Sequence, residues 1–263
     1  METVSVAKMR KALGRFESNS VYFDVLFGVM RDIATGGDQD VKEFIAPLDI
    51  NKKLVVVVAS DKGLCGSFNH DVLKLADSVI DKDTVIMPMG QVACDHFTRR
   101  GDGVDTRFVD IASSPDYGNA KAMADVLLGE YGSNVGSVKL VYMHMLSRST
   151  WEPQALQLLP ISPDKANGEI KSEVDYSGVE FEPSMLEVFK QSLPLYVSGM
   201  IYGALVQSAA AEHGARHAAM SASSENADDM IAALSQEYNS ARQSSVTEQI
   251  IDIVGSAQAI GEV

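Results

Sequence analysis

Proline is missing from both ends of this chain. All eight prolines lie between Pro47 and Pro194, so residues 1–46 and 195–263 contain none. Because proline removes a backbone donor and clashes with the preceding turn, it is the strongest breaker of a helix interior. Both ends can therefore form long helices, and turns are expected in the middle of the chain.

Basic residues, cysteines and long apolar runs are also scarce. With 22 Lys and Arg against 36 Asp and Glu, the formal net charge is -14, which argues against a nucleic-acid binder because such proteins need a surplus of cations. The two cysteines, Cys65 and Cys94, imply no disulfide framework and indicate a reducing compartment. No apolar run approaches the roughly 18 residues of a membrane-spanning helix, and no secretory signal is visible.

The N-terminal residues place an apolar side chain at alternating steps of three and four. These positions are Val6, Met9, Leu13, Phe16, Ser20, Phe23, Phe27, Met30 and Ala34, and only Ser20 among them is polar. Gly36 and Gly37 follow, as is typical of a helix C-terminus. The spacing indicates either an amphipathic helix packed on its own domain or one helix of a coiled coil.

The C-terminal residues repeat this spacing. The positions are Ala227, Ile231, Leu234, Tyr238 and Ala241, and after a phase shift Val246, Ile250, Ile253, Ala257 and Ile260. A helix over 184–262, broken or kinked at Pro194, would be roughly 120 Å long at about 1.5 Å per residue. A compact chain of this length is only about 45–50 Å across, so we expect this helix to project and another molecule to cover it.

The middle of the chain alternates apolar strands with helices. The predicted strands are Leu54–Ala59, Val85–Met89, Thr106–Ile111, Val138–Met145 and Ala155–Leu159, and the predicted helices are Val72–Ile80, Gln91–Arg100 and Asn119–Tyr131. Residues 161–182 are predicted to form a loop with room for one edge strand. This order is typical of an α/β fold with a mostly parallel, Rossmann-like sheet. We predict three parts: an N-terminal coiled-coil helix over 1–46, an α/β domain over 47–183 and a C-terminal coiled-coil helix over 184–263.

The loop SDKGLCGSFN after the first strand is the first candidate for an active site. A phosphate-binding loop places lysine after its second glycine, but Lys62 comes before Gly63 and Gly66. Cys65 could be a nucleophile, since Lys62 and His70 are near it in sequence. A free cysteine is more often a small buried apolar residue, and we favour that interpretation.

The motif EHGARH is the second candidate. His213 and His217 have the i, i+4 spacing of metal ligands, but Glu212 precedes them instead of lying between them as in metalloproteases. A pair that makes interface contacts is the simpler interpretation. The run Cys94-Asp95-His96 has no partner cluster and indicates a helix surface, and Trp151 and Met143–Met145 indicate core or subunit contacts.

Three stretches carry a resemblance to a known family. They are VSVAKMRKAL from Val4 to Leu13, the loop SDKGLCGSFN, and the C-terminal run from Met220 to Ile260 with its segments NA, YN, ARQ and VT. Together they resemble the gamma subunit of rotary F-type ATP synthases, the rotor of the central stalk. The family usually has about twenty more residues before Val4, the order Glu248-Gln249 reverses its usual order, and the cysteine-bearing insertion of chloroplast members is absent.

This resemblance implies a fold and a function. The N- and C-terminal helices would pair as a long antiparallel coiled coil inside a hexamer of alpha and beta subunits, and the α/β domain would meet the membrane c-ring and the small central-stalk subunits. The chain would have no catalytic role and no cofactor or metal of its own. It would couple proton-driven rotation to ATP synthesis at the mitochondrial inner membrane, on the matrix side, or at the cytoplasmic side of a bacterial plasma membrane.

The resemblance also assigns expected roles to individual residues. Contacts with the hexamer are expected at Arg242, Gln243, Thr247, Lys8, Arg10 and Lys11. The coiled-coil seam is expected at Met9, Leu13, Phe16, Phe23, Ile231, Leu234, Tyr238, Ile250 and Ile253. Gly63, Cys65 and Gly66 are expected to form a structural turn, and the small residues Ala209–Ala211, Ser221, Ser223 and Ser224 to form a sliding face. Two alternatives stay open: a Rossmann-like nucleotide-binding enzyme that uses Lys62 or Cys65, and a coiled-coil scaffold unrelated to ATP synthesis.

Overall fold

The computed structural model describes residues 2–35, 38–112, 114–147, 150–161 and 181–261, and for residues 2, 19–24 and 258–260 it describes the backbone only. The predictions for Gly36 and Gly37, for most of the 161–182 loop and for the side chains of Phe23 and Ile260 therefore lie outside the described residues. By its internal contacts the chain divides into two compact units, Met1–Ala218 and Ala219–Val263.

Two helices form the N-terminal part, where the sequence predicts one. Helix α1 spans Glu2–Thr35 and helix α2 spans Gln39–Ile45. Asp38 begins α2 as its N-cap, because its side chain accepts hydrogen bonds from the backbone N–H groups of Asp40 and Val41.

A four-stranded sheet forms the centre of the first unit. Its strands are β1 (Lys53–Val58), β2 (Thr84–Met89), β3 (Ser137–Ser147) and β4 (Thr150–Leu159), and their order is β2-β1-β3-β4. β1 runs parallel to β2 and to β3, whereas β4 runs antiparallel to β3. The predicted mostly parallel sheet is confirmed, and β1 is an inner strand with hydrogen-bonded neighbours on both sides.

Both faces of the sheet are covered, which explains why β1 is apolar at almost every position. Helices α3 (Phe68–Val79) and α4 (Gln91–Arg100) cover the face of Val55 and Val57. The last helix, α6, spans Met185–Gly261. Helix α5 (Tyr117–Glu130), part of α1 and the first turns of α6 cover the face of Val56 and Val58.

Helix α1 packs antiparallel against the first half of α6. The rings of Phe27 and Tyr196 form an edge-to-face pair with centroids 5.4 Å apart, and Leu13 packs in a small apolar cluster with Ala210. Further along, a Cβ added at Gly214 would lie 3.4 Å from the sulfur of Met9 and 2.9 Å from the Trp151 ring. Along this series of contacts the residue numbers decrease on α1 and increase on α6, so the two helices run in opposite directions.

One local prediction is wrong, and a second is wrong in part. The segment predicted as the strand Thr106–Ile111 contains instead the 3-10 helix Val109–Ile111. The chain pairs with β2 only briefly, where Asp105 N donates to Ile86 O at 2.8 Å, and the Asp105 side chain then accepts from Arg107 N and turns the chain away. Pro194 lies inside α6 and does not end it, because the buried neighbours Leu193 and Val197 hold this turn in the core; the predicted break is absent, and the predicted kink stays a prediction.

The second unit consists of the last turns of α6. Every described side chain from Ser221 to Ala257 is exposed. Among the described residues, none of the helices combines the length and apolar character that crossing a bilayer would need.

Candidate functional site

The loop after β1, residues 60–67, is held by hydrogen bonds within the loop and by Asn69 in the first turn of α3. Ser60 N donates to Asn69 Oδ1 at 3.0 Å, and Ser60 Oγ donates to the carbonyl of Lys62 at 2.8 Å. Asn69 Nδ2 lies 3.2 Å from the sulfur of Cys65, which is 2% exposed and packs with Phe68 beneath the sheet. Ser60 Oγ and the carbonyl of Lys62 lie 3.8 and 3.9 Å from the same sulfur, so Cys65 occupies the place of a buried apolar residue with a few polar neighbours.

The backbone of this 60–67 loop makes an unusual turn. Gly66 has a φ of 58°, a region where a residue without a Cβ is favoured. Leu64 also has a positive φ, 62°, which is uncommon for a bulky side chain; its side chain is exposed. Gly63, by contrast, does not have a positive φ, so the turn is formed by Leu64 and Gly66.

Two backbone amides at the ends of the 60–67 loop are already hydrogen-bonded and the Cys65 thiol is buried, which favours neither active-site hypothesis. The N–H of Ser60 is used by Asn69, and the N–H of Phe68 donates to Cys65 O at 3.2 Å. A phosphate cradle needs such amides directed at its ligand. A nucleophilic thiol needs a base within reach, and His70 is exposed while Cys65 is buried. The structural-turn hypothesis for Gly63, Cys65 and Gly66 stays the prediction that fits this geometry.

Arg216 of α6 reaches across to the 60–67 loop. Its Nη2 donates to the carbonyls of Lys62 and Gly63 at 3.0 and 3.2 Å, and its Nη1 donates to Glu212 Oε1 at 2.6 Å. Sequence reasoning missed this arginine, although Glu212 and Arg216 have the i, i+4 spacing of a helix ion pair. The missing information was the partner loop, which is about 150 residues away in sequence.

His213 lies in the same cluster and is held neutral. Burial, followed by the charges of Arg216 and Lys8, lowers its pKa to about 4. Burial raises the pKa of the Glu212 carboxyl although the hydrogen bond from Arg216 opposes this. Among the residues that the structure describes, no three His, Cys, Asp or Glu side chains are grouped as metal ligands. The interface interpretation of EHGARH fits these contacts and stays a prediction.

Two of the three predicted basic contact residues of α1 line a cleft, and the third does not. Lys8 and Lys11 line a cleft between α1, α6 and residues 114–115, together with Arg15 and His213. Arg15 Nη1 donates to the carbonyl of Pro115 at 3.0 Å. Arg10 is exposed. The contact role of Lys8, Arg10 and Lys11 stays a prediction.

The other predicted contact residues lie on the exposed part of α6. Arg242, Gln243 and Thr247 are all exposed, and Thr247 Oγ1 donates to the carbonyl of Gln243 at 2.8 Å. Gln243 and Thr247 border a shallow groove along one helix face with Ser240, Ser244, Glu248 and Ile251. This arrangement presents polar side chains to an incoming surface, and their contact role stays a prediction.

The structure places the two halves of the predicted seam in different surroundings. Met9, Leu13 and Phe16 of α1 pack in the apolar clusters of the first unit. The predicted seam residues of the second unit are 55–67% exposed, and they are Ile231, Leu234, Tyr238, Ile250 and Ile253. What covers these five stays a prediction.

The proposed sliding face needs one correction. Ala209–Ala211 are buried, because their small side chains let α6 lie close to α1 and to the sheet. Ser221, Ser223 and Ser224 are exposed, as expected.

The chain is similar to proteins of one family along nearly its whole length. The family model described as ATP synthase matches residues 1–260. The ATP synthase gamma chain of Alkaliphilus metalliredigens is 34% identical over 264 residues, covering 99% of this chain and 91% of the relative. That of Ruminococcus albus is 36% identical over 265 residues, covering 96% and 89%. The sodium-ion-specific ATP synthase gamma chain of Acetobacterium woodii is 30% identical over 277 residues, covering 99% and 92%.

Solved structures show the same fold at lower identity. A chain of the central stalk and c-ring of the Tetrahymena thermophila mitochondrial ATP synthase aligns with a TM-score of 0.60 at 21% identity, over 85% of this chain and 97% of the other. A chain of the Euglena gracilis mitochondrial ATP synthase aligns with a TM-score of 0.62 at 15% identity, over 98% and 94%. The family match and the relatives above 30% identity together show that this chain belongs to the ATP synthase gamma-chain family.

Proposed function

We propose that this chain is the noncatalytic rotor subunit in the central stalk of an ATP synthase. It would connect rotation of a membrane ring to nucleotide exchange in a catalytic hexamer of alpha and beta subunits. Its partners would be that hexamer, the small central-stalk subunits and the c-ring. Family membership supports this function, and the exposed apolar surface of α6 supports the proposal that the hexamer surrounds this helix.

The observation that carries the proposal is the exposed apolar surface of the last turns of α6. Nine large apolar side chains are exposed there, namely Met230, Ile231, Leu234, Tyr238, Val246, Ile250, Ile251, Ile253 and Val254. Exposed apolar residues in such number mark a surface that a partner covers. A surrounding hexamer would cover this helix from all sides, which fits a helix whose apolar residues are not confined to one face.

The first unit has the features of a stiff base for such a helix. Besides packing on α1, α6 is hydrogen-bonded to the sheet where β3 extends past the end of β1. Met143 N donates to Ser208 Oγ at 3.0 Å, and Met145 N donates to Gln207 Oε1 at 3.2 Å. These bonds satisfy strand N–H groups that β1 does not reach, and they fix the rotation of α6 about its own axis.

The coupling ion and the membrane belong to the same proposal. A gamma chain is a peripheral part of a membrane-bound complex, and we favour the cytoplasmic side of a bacterial plasma membrane, since the similar gamma chains named above are bacterial. The mitochondrial location expected from the sequence has no such support. Protons are the coupling ion we propose, with sodium as the alternative because one relative is described as sodium-specific.

Reconstitution tests the function. The chain should assemble with alpha and beta subunits into a particle that hydrolyses ATP, whereas the isolated chain should neither bind ATP at micromolar concentration nor turn it over. Vesicles that carry the complete complex should acidify on ATP addition, and sodium dependence of that pumping would identify the other ion. Stoichiometric ATP turnover by the isolated chain, or its failure to join the hexamer, would refute the proposal.

A further inference from the structure

Arg216 of α6 binds the 60–67 loop through one terminal nitrogen and its own helix through the other. Nη2 holds two successive carbonyls, those of Lys62 and Gly63, and Nη1 holds the Glu212 carboxylate one turn earlier on the same helix. The side chains of Arg216 and Glu212 are only 14% and 12% exposed. A planar guanidinium is suited to such simultaneous contacts, whereas an ammonium is not.

The Arg216 contact lies at a point of the fold where a force on α6 can reach the sheet. The 60–67 loop continues directly from β1, the inner strand that is bonded to β2 and β3. A force on the loop therefore reaches three strands of the sheet at once. Arg216 lies only three residues before the boundary of the second unit at Ala219.

The loop also needs to be held from outside. Leu64, directly after the two carbonyls that Arg216 binds, has a φ of 62°, a conformation that a bulky residue keeps only when its surroundings enforce it. Asn69 fixes the loop from the side of α3. Arg216 fixes it from the side of α6, so the loop is held between a sheet-covering helix and the long helix.

We propose that Arg216, oriented by Glu212, is a positioning residue that locks the 60–67 loop to α6 and thereby transmits torque between the long helix and the sheet. The inference rests on the proposed rotor function and adds the residue pair through which the load passes. Ser208 and Gln207 hold α6 to β3, and Arg216 holds it to the loop after β1. The two attachments to neighbouring strands prevent α6 from turning relative to the sheet.

The experiment compares three variants in the full chain. Arg216→Met combined with Glu212→Gln removes the contact without leaving a buried carboxylate unpaired, which by itself would destabilise the fold. Arg216→Lys keeps the charge without the fork. Arg107→Met combined with Asp105→Asn is the matched control, because this arginine is also paired with a carboxylate but its bonds join it to Asp105 and Glu130 instead of α6.

Two measurements separate a mechanical role from a merely structural one. In the isolated chain, amides of the 60–67 loop should exchange with solvent about tenfold faster or more in the Met/Gln variant, while exchange in β3 and β4 stays at the level of the control. In assembled complexes, ATP hydrolysis by the detached hexamer-rotor particle should stay near the wild-type rate. ATP-driven ion pumping by the complete complex should fall several-fold, with Arg216→Lys between the two.

Each outcome decides between the two proposals. If the wild-type chain fails to assemble with the hexamer, the rotor function itself is wrong. If it assembles and the Met/Gln variant pumps as well per ATP as the control, the torque role of Arg216 is wrong. A parallel loss of hydrolysis and pumping, with faster exchange throughout the sheet, would show that Arg216 only stabilises the fold and would also overturn the inference.

Discussion

At the scale of single residues, the surroundings of Cys65 fit a packing role better than a chemical one. Its sulfur is buried, receives the amide of Asn69 at 3.2 Å and lies 3.8 Å from Ser60 Oγ. A serine in its place keeps a polar partner for Asn69 but loses the apolar contacts of the sulfur. The contacts of the Cys65 sulfur therefore predict that its packing matters to the protein and its reactivity as a thiol does not.

We predict that Cys65→Ser leaves coupled ATP synthesis near the wild-type rate. The free energy of unfolding should fall by about 0.5–2 kcal/mol, as for other small changes at buried sites. The measurements are urea unfolding of the chain and ATP synthesis by reconstituted complexes. Cys94→Ser, on the partly exposed surface of α4, is the control. Lost synthesis in a Cys65→Ser complex that assembles normally would mean that the thiol takes part in the function.

His213 gives the first unit a specific pH dependence. Its pKa is lowered from 6.5 to about 4, by burial first and then by Arg216 and Lys8. Above pH 6.5 the ring is neutral in both the folded and the unfolded state. Between pH 6.5 and 4 only the unfolded state binds a proton, so stability should fall as the pH falls through this window. The slope in this window should stay below about 1.4 kcal/mol per pH unit, the limit for a single proton that only the unfolded state binds.

The measurement is urea unfolding of the wild-type chain and of His213→Gln at pH 7, 6 and 5. Glu212, whose pKa is raised by burial, acts with the opposite sign as the pH rises through its titration. It is present in both proteins, so the difference between them isolates the histidine. The wild type should lose stability relative to His213→Gln on acidification, and parallel curves would contradict the assignment.

At the scale of elements, the pairing of α1 with α6 depends on small apolar contacts at regular intervals. Leu13 is 9% exposed and packs with Met9, Ala210 and Met145. An aspartate at this position would bury an unpaired charge between two helices, which costs several kcal/mol. Leu13 is a better test site than Phe23, whose side chain lies outside the described residues.

We predict that Leu13→Asp detaches α1 from α6 and exposes both helices to protease. Val25→Asp is the matched control, since Val25 lies on the same helix and is 58% exposed. Limited proteolysis of the full chain should cleave the Leu13 variant at least about tenfold faster, given the energy of a buried charge, and the Val25 variant at the wild-type rate. Equal cleavage of both variants would mean that this pairing does not hold α1 in place.

The elements also show which parts of the fold are predictable from sequence. The helical ends and the parallel sheet follow from local periodicity and from apolar runs such as Leu54–Ala59, and both are confirmed. Periodicity gives the buried face of a helix but not the segment that covers it. For that reason Met9 and Leu13 could be assigned to a seam, while their actual partners near Ala210 and Gly214 could not be derived.

The failures have equally local causes. The segment 106–111 is apolar enough for a strand, but one aspartate, Asp105, caps the turn that ends its pairing with β2. The contact of Arg216 with Lys62 and Gly63 joins segments about 150 residues apart, and no spacing rule connects them. Such contacts determine how α6 is held, so the most specific part of the candidate site is the least predictable one.

At the scale of the whole molecule, charge is distributed in a way that singles out Arg242. Residues 219–263 contain Arg242 as their one cation, among seven carboxylate side chains. A partner surface with acidic groups would therefore meet repulsion along most of this segment and attraction at a single position. An exposed arginine there offers a fork for a carboxylate, and Gln243 beside it adds an amide.

We predict that Arg242→Ala lowers the ATP turnover of assembled complexes several-fold while assembly stays intact. A charge-assisted hydrogen bond contributes about 1.5–3 kcal/mol, so losing one could shift the population of a rotational dwell by roughly tenfold or more. The shape of the helix also transmits torque, which is why the loss should be partial. Arg242→Lys should recover part of the rate, since lysine keeps the charge without the fork.

The test is steady-state hydrolysis and ion pumping, with subunit stoichiometry checked on gels and Gln236→Ala, also exposed on α6, as the control. Because Arg242 is expected to contact the hexamer itself, its loss should slow the rotation that hydrolysis and pumping share. Both rates should therefore fall together. This distinguishes Arg242 from Arg216, for which pumping alone should fall. Wild-type turnover in Arg242→Ala would remove this residue from the coupling mechanism, and failure to assemble would assign it to building the complex instead.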